Sequence, residues 1–126
     1  MIRPADKQVV GPGPLMSDAI RWGDLLFLSG RAAVDPATGK PRGEDFASQC
    51  RVVLEDVGAV LAAGGSDFGH VLRVECWLAD AADFPAWNEF FTATFAQPRP
   101  ARTTTIGQLP LPGLLVELQV TAGVPS

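Results

Sequence analysis

The sequence predicts an α+β domain in which a mixed β-sheet carries two helices on one face. Three observations lead there. Segments 44–63 and 84–95 repeat apolar residues at helical spacing, whereas the runs around them are short, with apolar residues alternating or adjacent. The resulting order is hairpin, helix, strand, helix, strand, strand. Two helices are too few to cover both faces of such a sheet, so they share one and leave the other to water or a partner. At 126 residues the chain fits one domain spanning 1–126, with no linker and no internal repeat.

Each element has a local reason. Gly11-Pro12-Gly13-Pro14 is a turn-rich loop. Ala19-Ile20-Arg21-Trp22 and Leu25-Leu26-Phe27-Leu28-Ser29 flank Gly23-Asp24, which reads as a β-hairpin. Asp35-Pro36-Ala37-Thr38-Gly39 is a second turn. From Glu44 to Ala63, Phe46, Cys50, Val53, Leu54, Val57 and Leu61 make the apolar face of a helix stopped by Gly64-Gly65, with Gln49, Arg51, Glu55 and Asp56 at other positions. In Val71–Ala79, alternation puts Leu72, Val74, Cys76 and Leu78 on one face and Arg73, Glu75 and Trp77 on the other. A second helix runs from Phe84 to Phe95 with Phe84, Trp87, Phe91 and Phe95 on a stripe; Pro85 suits its first turn, and Pro98 and Pro100 follow its end. Two last strands, Ala101–Ile106 and Leu114–Ala122, are joined by a connection containing Pro110, Pro112 and Gly113.

Composition narrows the function. Apolar residues are 47% of the chain, enough for a core, and charged residues only 19%, a weak hint of surface hidden in an oligomer. A net charge of -4 without a run of Lys or Arg argues against nucleic acid as the main partner. The start, Met1 to Lys7, has no apolar stretch of signal-peptide kind, and no apolar run approaches a bilayer span, so no membrane association and a cytoplasmic location are expected. Cys50 and Cys76 lack metal-ligand spacing and read as buried thiols in a reducing compartment. His70, the only histidine, has no cluster around it and reads as a loop or strand-start residue. No Gly-x-Ser-x-Gly motif and no phosphate loop are present, and nothing supports a metal site.

One pair stands out. Alternation puts Arg102, Thr104 and Ile106 on one side of their strand, and Leu115, Glu117, Gln119 and Thr121 opposite the apolar set of theirs. If these strands pair as an antiparallel hairpin, Arg102 and Glu117 fall nearly opposite each other on the helix-free face. A guanidinium fork grips a carboxylate bidentately, and a neighbouring carboxylate orients or deprotonates a water. An ordinary cross-strand ion pair is the competing reading.

Longer motifs carry a resemblance. Gly13-Pro14, Leu28-Ser29-Gly30, Asp35-Pro36-Ala37-Thr38-Gly39, Asp83-Phe84 with Trp87-Asn88, Arg99-Pro100-Ala101-Arg102-Thr103-Thr104 and Val116-Glu117-Leu118, in this order, resemble the RidA (YjgF-like) family of enamine and imine deaminases along nearly the whole chain. The resemblance implies a chorismate-mutase-like fold and a homotrimer whose sheets pack into a central barrel, with sites in clefts between subunits. It also implies hydrolysis of 2-imino or enamine acids, such as 2-aminoacrylate or 2-iminopropanoate, to 2-oxo acids and ammonia without metal or organic cofactor. By the same resemblance Arg102 clamps the substrate carboxylate, Glu117 serves the attacking water, Ser29 and Gly30 line the cleft, and the backbone of Thr104 meets the reacting end. Met16 and Asn88 join the expected substrate-binding set. Where family deaminases usually carry a tyrosine after the first Gly-Pro, this chain has Leu15-Met16 and no tyrosine at all, and Thr104 stands where a cysteine is common. The alternative reading is a non-catalytic trimeric module that binds a small carboxylate; a ribonuclease activity, also attached to the family, sits poorly with the acidic charge.

Overall fold

A computed structural model describes residues 3–126; Met1 and Ile2, part of the segment read as lacking a signal sequence, lie outside the described residues. The elements are β1 (Gln8–Val10), β2 (Ala19–Trp22), β3 (Leu25–Leu28), β4 (Arg31–Ala32), α1 (Phe46–Ala63), β5 (Val71–Leu78), α2 (Phe84–Thr94), β6 (Ala101–Ile106) and β7 (Val116–Gly123). Among the described residues they form one seven-stranded sheet in the order β1-β2-β3-β7-β5-β6, with β4 also paired to β7. Every pairing is antiparallel except β5 with β6. The α+β architecture with a mixed sheet is as the sequence predicts.

Both helices lie on one face. Leu26, Leu28, Val74, Cys76, Leu78, Val116, Leu118 and Val120 are buried in one cluster with Val53, Val57 and Leu61 of α1 and Trp87 and Phe91 of α2. Asp45 caps α1: its carboxylate accepts from the Ser48 N–H at 2.8 Å and the Ser48 hydroxyl faces the Asp45 N–H, a reciprocal capping box. At the far end Gly65 takes φ +84°, while the N–H of Gly65 bonds to the Ala62 carbonyl and that of Ser66 to the Leu61 carbonyl. This is a Schellman stop, for which a residue free of a Cβ is best suited.

The helix-free face is partly apolar. Val9, Ile20, Phe27 and Thr121 align across four strands, and Val9 and Phe27 are exposed. Trp22 and Leu25 extend the patch at the hairpin end.

Several sequence expectations need correction. The last two strands do not form a hairpin, because β5 lies between them: Val74 is in register with both Arg102 and Val120, and Trp77 with both Glu117 and Thr105. A parallel partner for β6 requires a crossover, which α2 supplies. Leu72 is not a core residue but 51% exposed, since the register shifts between Val71 and Arg73 and Val71 takes the buried place. Gln49, placed outside the apolar set of its helix, is nonetheless fully buried; its amide donates to the carbonyls of Gly43 and Gly113 and accepts from the Leu115 N–H. That link holds the 107–115 connection against α1. Leu114 itself precedes β7: its N–H turns back to the Leu111 carbonyl. The three-residue β1 and two-residue β4 were not anticipated, being too short to show a period.

Candidate functional site

Arg102 sits on the edge strand β6, in line with buried Val74, and therefore on the helix-bearing face rather than the helix-free face that the hairpin implied. Its guanidinium carbon lies 4.6 Å from the ring centre of Phe91 and 5.7 Å from that of Phe84. Stacking over two rings holds the side chain with about 0.5–1 kcal/mol at such an exposed position. Among the described residues no carboxylate pairs with it, and its side chain remains exposed. The approach to β6 is fixed by Arg99, which donates to the Phe95 carbonyl at the end of α2 at 2.6 Å. Thr104 is two residues along the same face, half-buried and in register with Cys76. Asn88 lies one turn from both Phe84 and Phe91 on α2, and its Oδ1 is buried without a hydrogen-bond partner.

Glu117 belongs to a different neighbourhood. It projects from β7 on the helix-free face, in register with Trp77 and Ala32. It is half-buried, and burial pushes its carboxyl above the usual glutamate range. Gly30 packs directly against it: a Cβ there would come within 2.9 Å of Glu117 Oε2. The break between β3 and β4 at Ser29-Gly30 makes this approach available. Ser29 spends its hydroxyl on the Ser17 carbonyl at 2.6 Å, tying down the loop that carries Met16. Gly30, Glu117 and Met16 line a cavity of about 640 Å³ beside β4, whereas Ser29, Asn88, Arg102 and Thr104 do not. Met16 is 60% exposed.

Arg102 and Glu117 of one chain therefore do not form the cross-strand pair that the hairpin offered. They are two strands and three residues apart, roughly 14 Å between Cα atoms at about 4.8 Å per strand and 3.3 Å per residue, and they face opposite ways. A guanidinium without a carboxylate partner and a half-buried carboxylate are both present among the described residues, separately.

Other members of the neighbourhood were hidden in the sequence. Arg31 pairs with Asp18 at 3.1 Å and Arg42 with Asp56 at 2.6 Å, and all four line the cavity. No periodicity announces such long-range pairs. Phe84 and Phe91 were legible as an apolar stripe, but not as a platform for an arginine. Cys50 and Cys76 are buried thiols, each pushed up to about 12 by burial, and so inert near neutrality. His70 stands at the start of β5 with Nδ1 2.7 Å from Asp67 Oδ1.

Residues 11–124 match the family model described as Endoribonuclease L-PSP. The chain is 39% identical over 107 residues to Reactive Intermediate Deaminase A, chloroplastic, of Arabidopsis thaliana, covering 84% of this chain and 57% of that protein's length. It is 35% identical over 114 residues to a RutC family protein of Pyrococcus horikoshii, covering 90% and 87% of the two. Among solved structures, a YjgF family protein from Neisseria meningitidis superposes with a TM-score of 0.86 at 33% identity, covering 96% of this chain and 97% of that one. RidA from an Antarctic Psychrobacter superposes at 0.79 and 30% identity, covering 94% and 98%.

Proposed function

Because the chain belongs to the Endoribonuclease L-PSP family, the family of the YjgF and RidA proteins, we propose that it hydrolyses 2-imino or enamine acids to 2-oxo acids and ammonia. The observation that carries this reading is the state of Arg102: a guanidinium set over two rings, exposed and without a carboxylate partner among the described residues. A surface arginine held over two rings yet left without a counter-ion is suited to a carboxylate from outside.

Arg102 takes the substrate carboxylate and fixes the imine carbon. That carbon is already electrophilic, so positioning it beside one water supplies much of the acceleration. Glu117 accepts a proton as the water oxygen bonds to the carbon. That proton passes to nitrogen to give a carbinolamine; Glu117 then takes the hydroxyl proton and hands it to the same nitrogen, so the carbon–nitrogen bond breaks and ammonia leaves with a carbonyl in its place. A carboxylate with a raised pKa suits both taking and returning the proton. Every atom comes from substrate and water, so the step needs no oxidant or reductant. Thr104 and Asn88 flank the clamp, and Gly30 and Met16 flank the water.

Since the two halves are apart in one chain, the reading requires two chains to share each site. A homotrimer whose helix-free faces pack together, with the edge strand β6 of each chain meeting its neighbour near Glu117, would provide this, and exposed Val9, Trp22, Leu25 and Phe27 on the helix-free face support it. Cytoplasmic location remains part of the same proposal; no helix among the described residues is long and apolar enough to cross a membrane. One observation favours a second reading, a module that binds a small carboxylate without turnover: Leu15 and Met16 bring no hydroxyl to the cleft.

The test generates an imino acid in situ with an amino-acid oxidase and follows its decay. Wild type should accelerate decay and Arg102→Ala should abolish the acceleration. No acceleration with any of several imino acids, together with measurable binding of a 2-oxo acid, would establish the second reading instead.

A further inference from the structure

We infer that the cavity beside Glu117 receives the substrate side chain and selects 2-imino acids whose side chain is long and uncharged, an inference that rests on the imine-hydrolysis reading above. The cavity, about 640 Å³, is lined by Gly30 and Glu117, by Arg31 and Ala32 of β4 and by the exposed side of α1. That volume is in the range that holds ligands of many heavy atoms, far more than the methyl group of the smallest imino acid needs. A substrate gripped by its carboxylate, with its reacting carbon at Glu117, has its side chain as the only part left to occupy the space.

The walls decide what kind of side chain. Val34, Pro36, Leu111 and Leu114 make an apolar lining, which Ala59 and Ala63 of α1 extend. Apart from Glu117, the charges in the wall cancel locally, Asp18 against Arg31 and Asp56 against Arg42. The Nε–H groups of both arginines are buried without an acceptor, so a ligand cannot reach them either. A carboxylate entering here would give up its hydration and meet only arginines already paired, and an ammonium would meet only Glu117, the group that the water needs. An aliphatic or thioether chain would instead gain burial, at about 25 cal/mol per Å². Met16 at the mouth, with its flexible thioether, adapts to chains of different shape.

The experiment compares kcat/KM for imines made in situ from alanine, leucine, methionine and glutamate, with wild type and with Ala59→Phe and Ala63→Phe. Both alanines lie on the exposed side of α1, so the larger ring should fill the cavity without entering the core. The inference expects wild type to favour the leucine and methionine imines over the glutamate imine by roughly tenfold or more, the scale on which side-chain pockets discriminate. It expects the filled variants to lose that advantage while the alanine imine, which also reports that the variant is folded, changes less than about twofold. Equal turnover of the glutamate imine, or long-chain turnover untouched by either ring while the alanine imine is processed, overturns the side-chain pocket and leaves the hydrolase standing. Absence of turnover with every imine overturns both.

Discussion

Arg102 owes its availability to what surrounds it. Phe91 and Phe84 steady the guanidinium from one side, and no acidic side chain competes for its forked N–H groups among the described residues. Arg102→Lys would keep the charge and lose the planar fork, so kcat/KM for an imino acid should fall by roughly tenfold to a hundredfold, with Arg102→Ala lower still. The KM and kcat of each variant check this. Glu117 gives a pH prediction whose sign follows from burial. Acting as a base it must be ionised, and burial raises the pH at which it ionises. The acid limb of kcat/KM should therefore fall away at a pH above the ordinary glutamate range, and Glu117→Gln should remove that limb along with most of the activity. A limb at the ordinary range would place Glu117 outside the rate-determining chemistry. Both residues were legible in the sequence because strand alternation and the motifs around them single them out. Their separation was not, since it depends on strand order.

At the level of elements, the helices were the most readable parts and the sheet connections the least. A period of about 3.6 residues persists across α1 and α2 and announces them. The order β7-β5-β6 leaves no such mark: whether β6 and β7 pair directly or admit β5 depends on a crossover through α2, a contact between distant parts of the chain. The same holds for Gln49, whose polar side chain looks solvent-facing in the sequence yet satisfies three backbone groups brought to it by folding. Replacing it with leucine of similar size would leave the Gly43 and Gly113 carbonyls and the Leu115 N–H unpaired. Gln49→Leu should destabilise the fold by about 2–4 kcal/mol, read as a lowered urea midpoint with an unchanged slope. Because this glutamine anchors the connection that carries Leu111 and Leu114, the cavity wall should loosen with it.

At the scale of the whole molecule, the proposed hydrolysis poses one requirement that a single chain does not meet. Its sheet buries one face under two helices and leaves Phe27, Trp22 and Leu25 exposed on the other, while the two halves of the site lie on opposite faces. Association through the helix-free face would cover the apolar patch, and an edge strand β6 set against the neighbour would give each Arg102 a Glu117 from another chain. Phe27→Glu, which puts a charge into that contact, should shift the mass in solution toward the monomer and remove activity together with assembly; light scattering and the imine assay follow the two. If each site takes its arginine from one chain and its glutamate from another, two inactive variants complement each other when mixed. Arg102→Ala and Glu117→Gln chains, unfolded together in equal amounts and refolded, should recover on the order of a quarter of wild-type turnover, because half the chains bring an intact arginine and half an intact glutamate to randomly formed clefts. Activity in the mixture no greater than the sum of the separate variants would contradict a site built from two chains.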